Sequence, residues 1–156
     1  MKTLAASILA AAACAASPAW AAADAPSSVT AADPAFEQTQ AAIAKKDWKQ
    51  AQALAREALG RNPASADYHN LYAYAVRMDA NPPMDVVFKH YNEALRLDPN
   101  HRGAHEYLGE AYLMAGNLDK AKEQLKTLDR LCFFSCDEFR MLRKAIADYE
   151  AKRGRN

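Results

Sequence analysis

From Ala35 onward the apolar side chains recur with a helical beat. Near the C-terminus Phe139, Leu142, Ile146 and Tyr149 are spaced by three, four and three residues, which puts them on one face of a helix; Arg140, Arg143, Lys144 and Asp148 fall elsewhere. Ser135 followed three residues later by Glu138 has the form of a capping box, so a last helix is predicted from Cys136 to about Lys152. Upstream, helix formers dominate, β-branched residues are scarce, and Pro and Gly gather between the helical stretches. The pattern predicts an all-α domain.

The breaks themselves repeat. Asn62-Pro63 follows one helical run and Asp98-Pro99 follows another, 36 residues later. Counting back from Pro63 gives Ala58, Ala55 and Ala51; the same steps from Pro99 give Ala94, Tyr91 and Val87. Counting forward gives His69, Tyr72, Ala73 and Val76 in one case, and His105, Leu108, Gly109 and Tyr112 in the other.

The run His105-x2-Leu108-Gly109-x2-Tyr112, with Gly116 at the turn and Ala121-x3-Leu125 beyond it, resembles a tetratricopeptide repeat whose leading tryptophan is replaced by histidine. Small residues such as Gly109 and Ala121 would let the two helices of a repeat approach closely, with Leu108, Tyr112 and Leu125 filling the gap. Three repeats can be drawn, at about 34–65, 66–101 and 102–131, then a capping helix over 132–152 and a tail at 153–156. The first is degenerate in its opening helix, with Thr39 where Gly109 sits, and the second carries extra residues at Asp79-Ala80-Asn81-Pro82-Pro83. The resemblance implies a right-handed superhelical solenoid of about three helix-turn-helix repeats, closed by an amphipathic lid as such stacks require.

The first residues differ in kind. Met1 to Ala23 open with Lys2, pass through a mainly apolar stretch from Leu4 to Ala16 and reach Ser17-Pro18-Ala19-Trp20-Ala21, which reads as a secretory signal over 1–21, cleaved after Ala21. A membrane anchor fits less well, because the stretch is mostly alanine and is broken at Pro18. Lipid anchoring through Cys14 is the other reading of this segment, although Ala11 stands where a lipoprotein signal usually has leucine. Residues 22–33, rich in Ala, Ser, Pro and Asp, read as a flexible linker. The expected location is the bacterial periplasm or the outside medium.

The chain has 20 basic and 19 acidic side chains. Losing Lys2 with the signal leaves the mature chain neutral. No run of lysine and arginine interleaves with aromatics, which argues against nucleic acid as a partner, and after Ala23 no apolar run reaches membrane length.

Once Cys14 is removed, Cys132 and Cys136 are the remaining cysteines. At the junction of two predicted helices they can come within disulfide range, and an oxidising compartment favours a structural bond that clamps the last helix. The rival reading is a small redox or metal-handling protein acting through this pair. The three-residue spacer is not that of a C-x-x-C redox site, and Asp137 stands where haem attachment needs histidine. His101 and His105 have ligand spacing, yet His69 and His105 occupy equivalent repeat positions and read as packing or hydrogen-bonding groups. No nucleotide-binding, metalloprotease or nucleophile-elbow motif is present. No catalytic residue, metal or cofactor is therefore assigned.

The resemblance places the first helix of each repeat on the concave face. It implies a protein or peptide partner contacted by Phe36 and Gln40, then Asn70, Tyr74 and Arg77, then Glu106, Glu110 and Leu113. An exposed Tyr74-Arg77 pair is expected to be the anchor. The lysine and asparagine set with which relatives clamp a C-terminal carboxylate is not matched.

Overall fold

The computed structural model describes residues 33–154; the expected signal segment, its cleavage site and nearly all of the linker lie outside them. Seven helices follow in order: α1 (Pro34–Ala44), α2 (Trp48–Arg61), α3 (Ala66–Arg77), α4 (Met84–Leu97), α5 (Arg102–Met114), α6 (Leu118–Leu131) and α7 (Asp137–Arg153). Among the described residues there is no strand.

Short polar side chains start most of these helices. Asp33, Asp47, Ser65 and Asn117 each accept a bond from a backbone N–H of the first turn, and His101 does the same through Nδ1 at 3.1 Å from Ala104 N. Each such cap contributes about 1 kcal/mol. The α1–α2 and α5–α6 turns share one geometry. Lys46 N and Asp47 N donate to Ile43 O and Ala42 O, while Gly116 N and Asn117 N donate to Leu113 O and Tyr112 O. Both turns need a left-handed residue, and Lys46 (φ 59°) does at a cost what Gly116 (φ 78°) does freely.

Each odd-numbered helix packs on the even-numbered one that follows it. In addition α1 touches α3, α3 touches α5, and α5 touches α7, whereas α2, α4 and α6 do not touch one another. The odd helices therefore form a close inner layer and the even helices a splayed outer one, which curves the stack toward α1, α3, α5 and α7.

Small side chains set the spacing. Ala51, Ala55 and Ala58 on α2, Ala73 and Ala75 on α3, and Ala94, Ala104, Ala111 and Ala121 are all essentially inaccessible. Tyr91, Val87 and Leu108 fill the space between them. The residues matched by counting from Pro63 and Pro99 are thus the ones at the layer interface.

Leu142 and Ile146 of α7 are buried against Leu113, Ala121 and Leu128, with Phe139 and Tyr149 alongside, as the spacing predicted. Gly109 has a different role from the expected one. A Cβ there would sit 2.5 Å from Leu142 Cδ2 and 2.7 Å from Cδ1, so this glycine opens a seat for the last helix. The capping box does not form. Ser135 takes a left-handed conformation (φ 62°), and Cys136, with no side-chain cap bond, starts α7. The left-handed turn at Ser135 moves the helix start one residue on, and Glu138 lies toward Arg102 instead, at 3.7 Å.

Candidate functional site: a groove along the inner layer

The inner layer encloses an open groove of about 400 Å³, walled by α1, α3, α5 and α7. Phe36, Gln40, Asn70 and Glu106 of the expected contact set line it. Asn70 and Glu106 stand at equivalent places, seven residues beyond Pro63 and Pro99, and so arrive side by side from neighbouring helices. Asn70 is 7% exposed and Glu106 is 3% exposed, and neither Asn70 Oδ1 nor Glu106 Oε1 has a hydrogen-bond partner. Leaving a buried acceptor unpaired costs about 1–3 kcal/mol, more when it is charged. Burial first, and then the Glu110 and Glu138 carboxylates, push Glu106 up to about 7, against the opposing pull of Arg77.

The other half of the expected set does not line this groove. Arg77, expected to be exposed, is 6% accessible. Its guanidinium pairs with Glu110 at 2.8 Å, donates to Tyr91 Oη at 3.3 Å, and lies over the rings of Tyr74 and Tyr107. These contacts offset the desolvation of the inward turn, because two rings, a phenol and a carboxylate replace water at a charge more weakly hydrated than a lysine's. Tyr74 is half-buried between Trp48 and Tyr107. Leu113 does not line the groove either and packs into the core that α7 completes.

Several groove residues were not expected from the sequence. Asp67 and His101, 3.2 Å apart, Gly103 and Tyr107 join from α3, α5 and the α5 cap, and Asp137, Glu138 and Met141 join from α7. Reading 132–152 only as a lid removed from consideration the one helix whose open side completes the inner layer.

A larger cavity, about 560 Å³, lies among α2, α3 and α4 and is lined by Arg56, His69, Tyr72, Lys89, His90 and Glu93 among others. Its polar groups mostly answer one another. Arg56 donates to Tyr72 Oη at 3.1 Å, His69 Nε2 lies 3.0 Å from Pro63 O, the Nδ1 atoms of His69 and His90 are 2.9 Å apart, and Glu93 binds Arg96. Burial, with His69 beside it, holds His90 down to about 4. His105 repeats the His69 contact, with Nε2 2.9 Å from Pro99 O and Nδ1 2.7 Å from the Gln124 amide. These histidines tie each helix to the proline turn before it. The inner groove, with its unanswered acceptors, is the better prepared for a ligand.

Cys132 and Cys136 bracket the α6–α7 turn with their Cα atoms 5.5 Å apart, within disulfide range. Phe133 and Phe134 between them project into solvent.

Residues 88–146, from within α4 to within α7, match the sequence profile of the tetratricopeptide repeat. The fold is that of the tetratricopeptide repeat. Two solved structures agree with it across most of the chain. The TPR2B domain of yeast Sti1 in its pHsp70 complex superposes with a TM-score of 0.67 at 19% identity, covering 76% of this chain and 95% of that one. The Yersinia enterocolitica type III secretion translocator chaperone SycD superposes with a TM-score of 0.64 at 11% identity, covering 78% of this chain and 82% of that one. No curated protein sequence matches this chain. The profile's reach into α7 agrees with the packing, in which α7 takes the place of a further inner helix.

Proposed function

We propose that this chain is a non-enzymatic adaptor, exported to the bacterial periplasm, that holds a segment of a protein or peptide partner in the groove between α1, α3, α5 and α7. The observation that carries this reading is the pair of buried, unpartnered acceptors, Asn70 Oδ1 and Glu106 Oε1, on the wall of that groove. A chain that keeps such a cost in its folded state holds groups ready for a ligand. Two structures of the same fold lend support, one a complex with pHsp70 and the other a translocator chaperone. Export rests on the Met1–Ala21 segment. In that compartment a Cys132–Cys136 bond would fix the start of α7, and with it the last wall of the groove.

A photo-crosslinking residue at Gln40, exposed inside the groove, should yield a discrete adduct in the native host, and the same residue at Lys126 on the outer layer should not. Gly103→Trp places an indole in the groove from a position where a Cβ meets nothing closer than 3.5 Å, and should abolish the Gln40 adduct. Equal adducts at both positions, or a Gln40 adduct indifferent to Gly103→Trp, would remove the groove from the account. Mass spectrometry of the exported protein should find Ala22 first and a reductant-sensitive gain of two hydrogens.

A further inference from the structure

The lining of the inner groove says what kind of segment it accepts. Asp67, Glu106, Asp137 and Glu138 supply four carboxylates, and no lysine or arginine lines the groove. Two of the four meet a cation at the rim, Asp137 with Arg140 and Glu138 with Arg102, and Asp67 lies 3.2 Å from His101 Nε2. Glu106 is different. It is 3% exposed, its Oε1 bonds to nothing, and the nearest buried cation, Arg77, is held by Glu110. Asn70, 7% exposed and lining the same groove, has an unpartnered carbonyl oxygen as well. Two orphan acceptors at adjacent inner-helix positions make a site that lacks only donors.

We propose that this groove receives the cationic side chain, lysine or arginine, of an extended peptide segment, its donors reaching Glu106 Oε1 and Asn70 Oδ1. This rests on the reading of the groove as the partner-binding face. The occupant follows from complementarity. Both unmet oxygens are acceptors and one belongs to a carboxylate, so a ligand that meets them brings donors and positive charge; His101 Nε2, without a hydrogen bond of its own, faces Asp67 at 3.2 Å. The wall also carries Phe36, Leu71, Tyr107 and Met141, which suit the aliphatic stem of a long basic side chain and the ring contacts its head can make. A bare metal ion is disfavoured by the same wall, and among the described residues no group of three or more metal-ligating side chains comes together.

The test uses the full chain, immobilised, and four pools of capped, randomised hexapeptides with arginine, lysine, citrulline or glutamate fixed at the third position. The arginine and lysine pools should be retained at least ten-fold over the citrulline pool, which keeps the shape and loses the charge. The preference should shrink several-fold between low and high salt and on Glu106→Gln. Equal retention of the arginine and citrulline pools, or preference for the glutamate pool, overturns the cationic site while leaving the groove as a binding face, provided Gly103→Trp still abolishes retention. Retention of no pool overturns both. Calcium binding that displaces the arginine pool would reassign the acceptors to a metal. Because citrulline changes the ligand alone, the answer stands even if the Glu106 variant folds poorly.

Discussion

Glu106 carries two consequences of one placement. Its carboxyl is raised from an ordinary glutamate value to about 7, so ionising it in the folded state costs stability. The favourable contribution is complete below the unfolded value of about 4.5 and is lost as pH rises through about 7. Glu106→Gln should therefore melt higher than the parent at pH 8, by roughly 2–3 kcal/mol, with the gap closing toward pH 4.5. Denaturant unfolding across that range checks it; a variant less stable at pH 8 would show that the carboxylate already has a partner. The groups around it set the second consequence. Asp67 on α3, Asp137 and Glu138 on α7, Glu110 on its own helix and the engaged Arg77 leave an excess of negative charge, so a bound cation should pull the proton off Glu106. Affinity for the arginine pool should rise from pH 6 to pH 8. Arg77 belongs at this scale as well. Read as an exposed anchor, it should tolerate alanine without loss of stability. Buried against Tyr91 and Glu110, its replacement by alanine should cost about 2–4 kcal/mol, because Glu110 keeps its charge and loses its partner. Nothing in the sequence distinguished the two cases, since burial of an arginine depends on rings that arrive from three helices.

Helix by helix, the legible features were those with a local cause. Proline breaks, alanine offsets and the three-four-three spacing of Phe139, Leu142, Ile146 and Tyr149 each describe a face, and all of these faces are found packed. The start of α7 was misread because the same two residues, Ser135 and Glu138, fit a local motif and also obey a longer-range demand from the turn at Cys132–Cys136. Gly109 was read correctly as a site of close approach and assigned to the wrong neighbour. Its seat for Leu142 predicts a coupling. Leu142→Ala should cost about 2–5 kcal/mol, as for a fully buried leucine. Gly109→Ala should destabilise the parent but stabilise the Leu142→Ala chain, where the three atoms nearest the added methyl are gone and helix propensity favours alanine by about 1 kcal/mol. A double-mutant cycle measures the reversal, and simple additivity would contradict the seat. The α1–α2 turn offers a smaller check. Lys46→Gly should add roughly 1 kcal/mol by relieving its left-handed backbone.

At the scale of the whole molecule, the curved inner layer is what turns separate helix faces into a site. Phe36, Gln40, Asn70 and Glu106 were recoverable from repeat register alone, because register fixes which side of each inner helix faces the hollow. Asp137, Glu138 and Met141 were not, since their membership depends on α7 packing as a further inner helix rather than as a cover. The larger cavity among α2, α3 and α4 is the alternative the molecule itself presents. Amide chemical-shift mapping of the full chain, titrated with a hexapeptide recovered from the arginine pool, separates the two directly. The groove account predicts shifts concentrated at Gln40, Asn70, Gly103, Glu106 and Met141, with His69, His90 and Lys89 unmoved; shifts centred on that second group instead would contradict it.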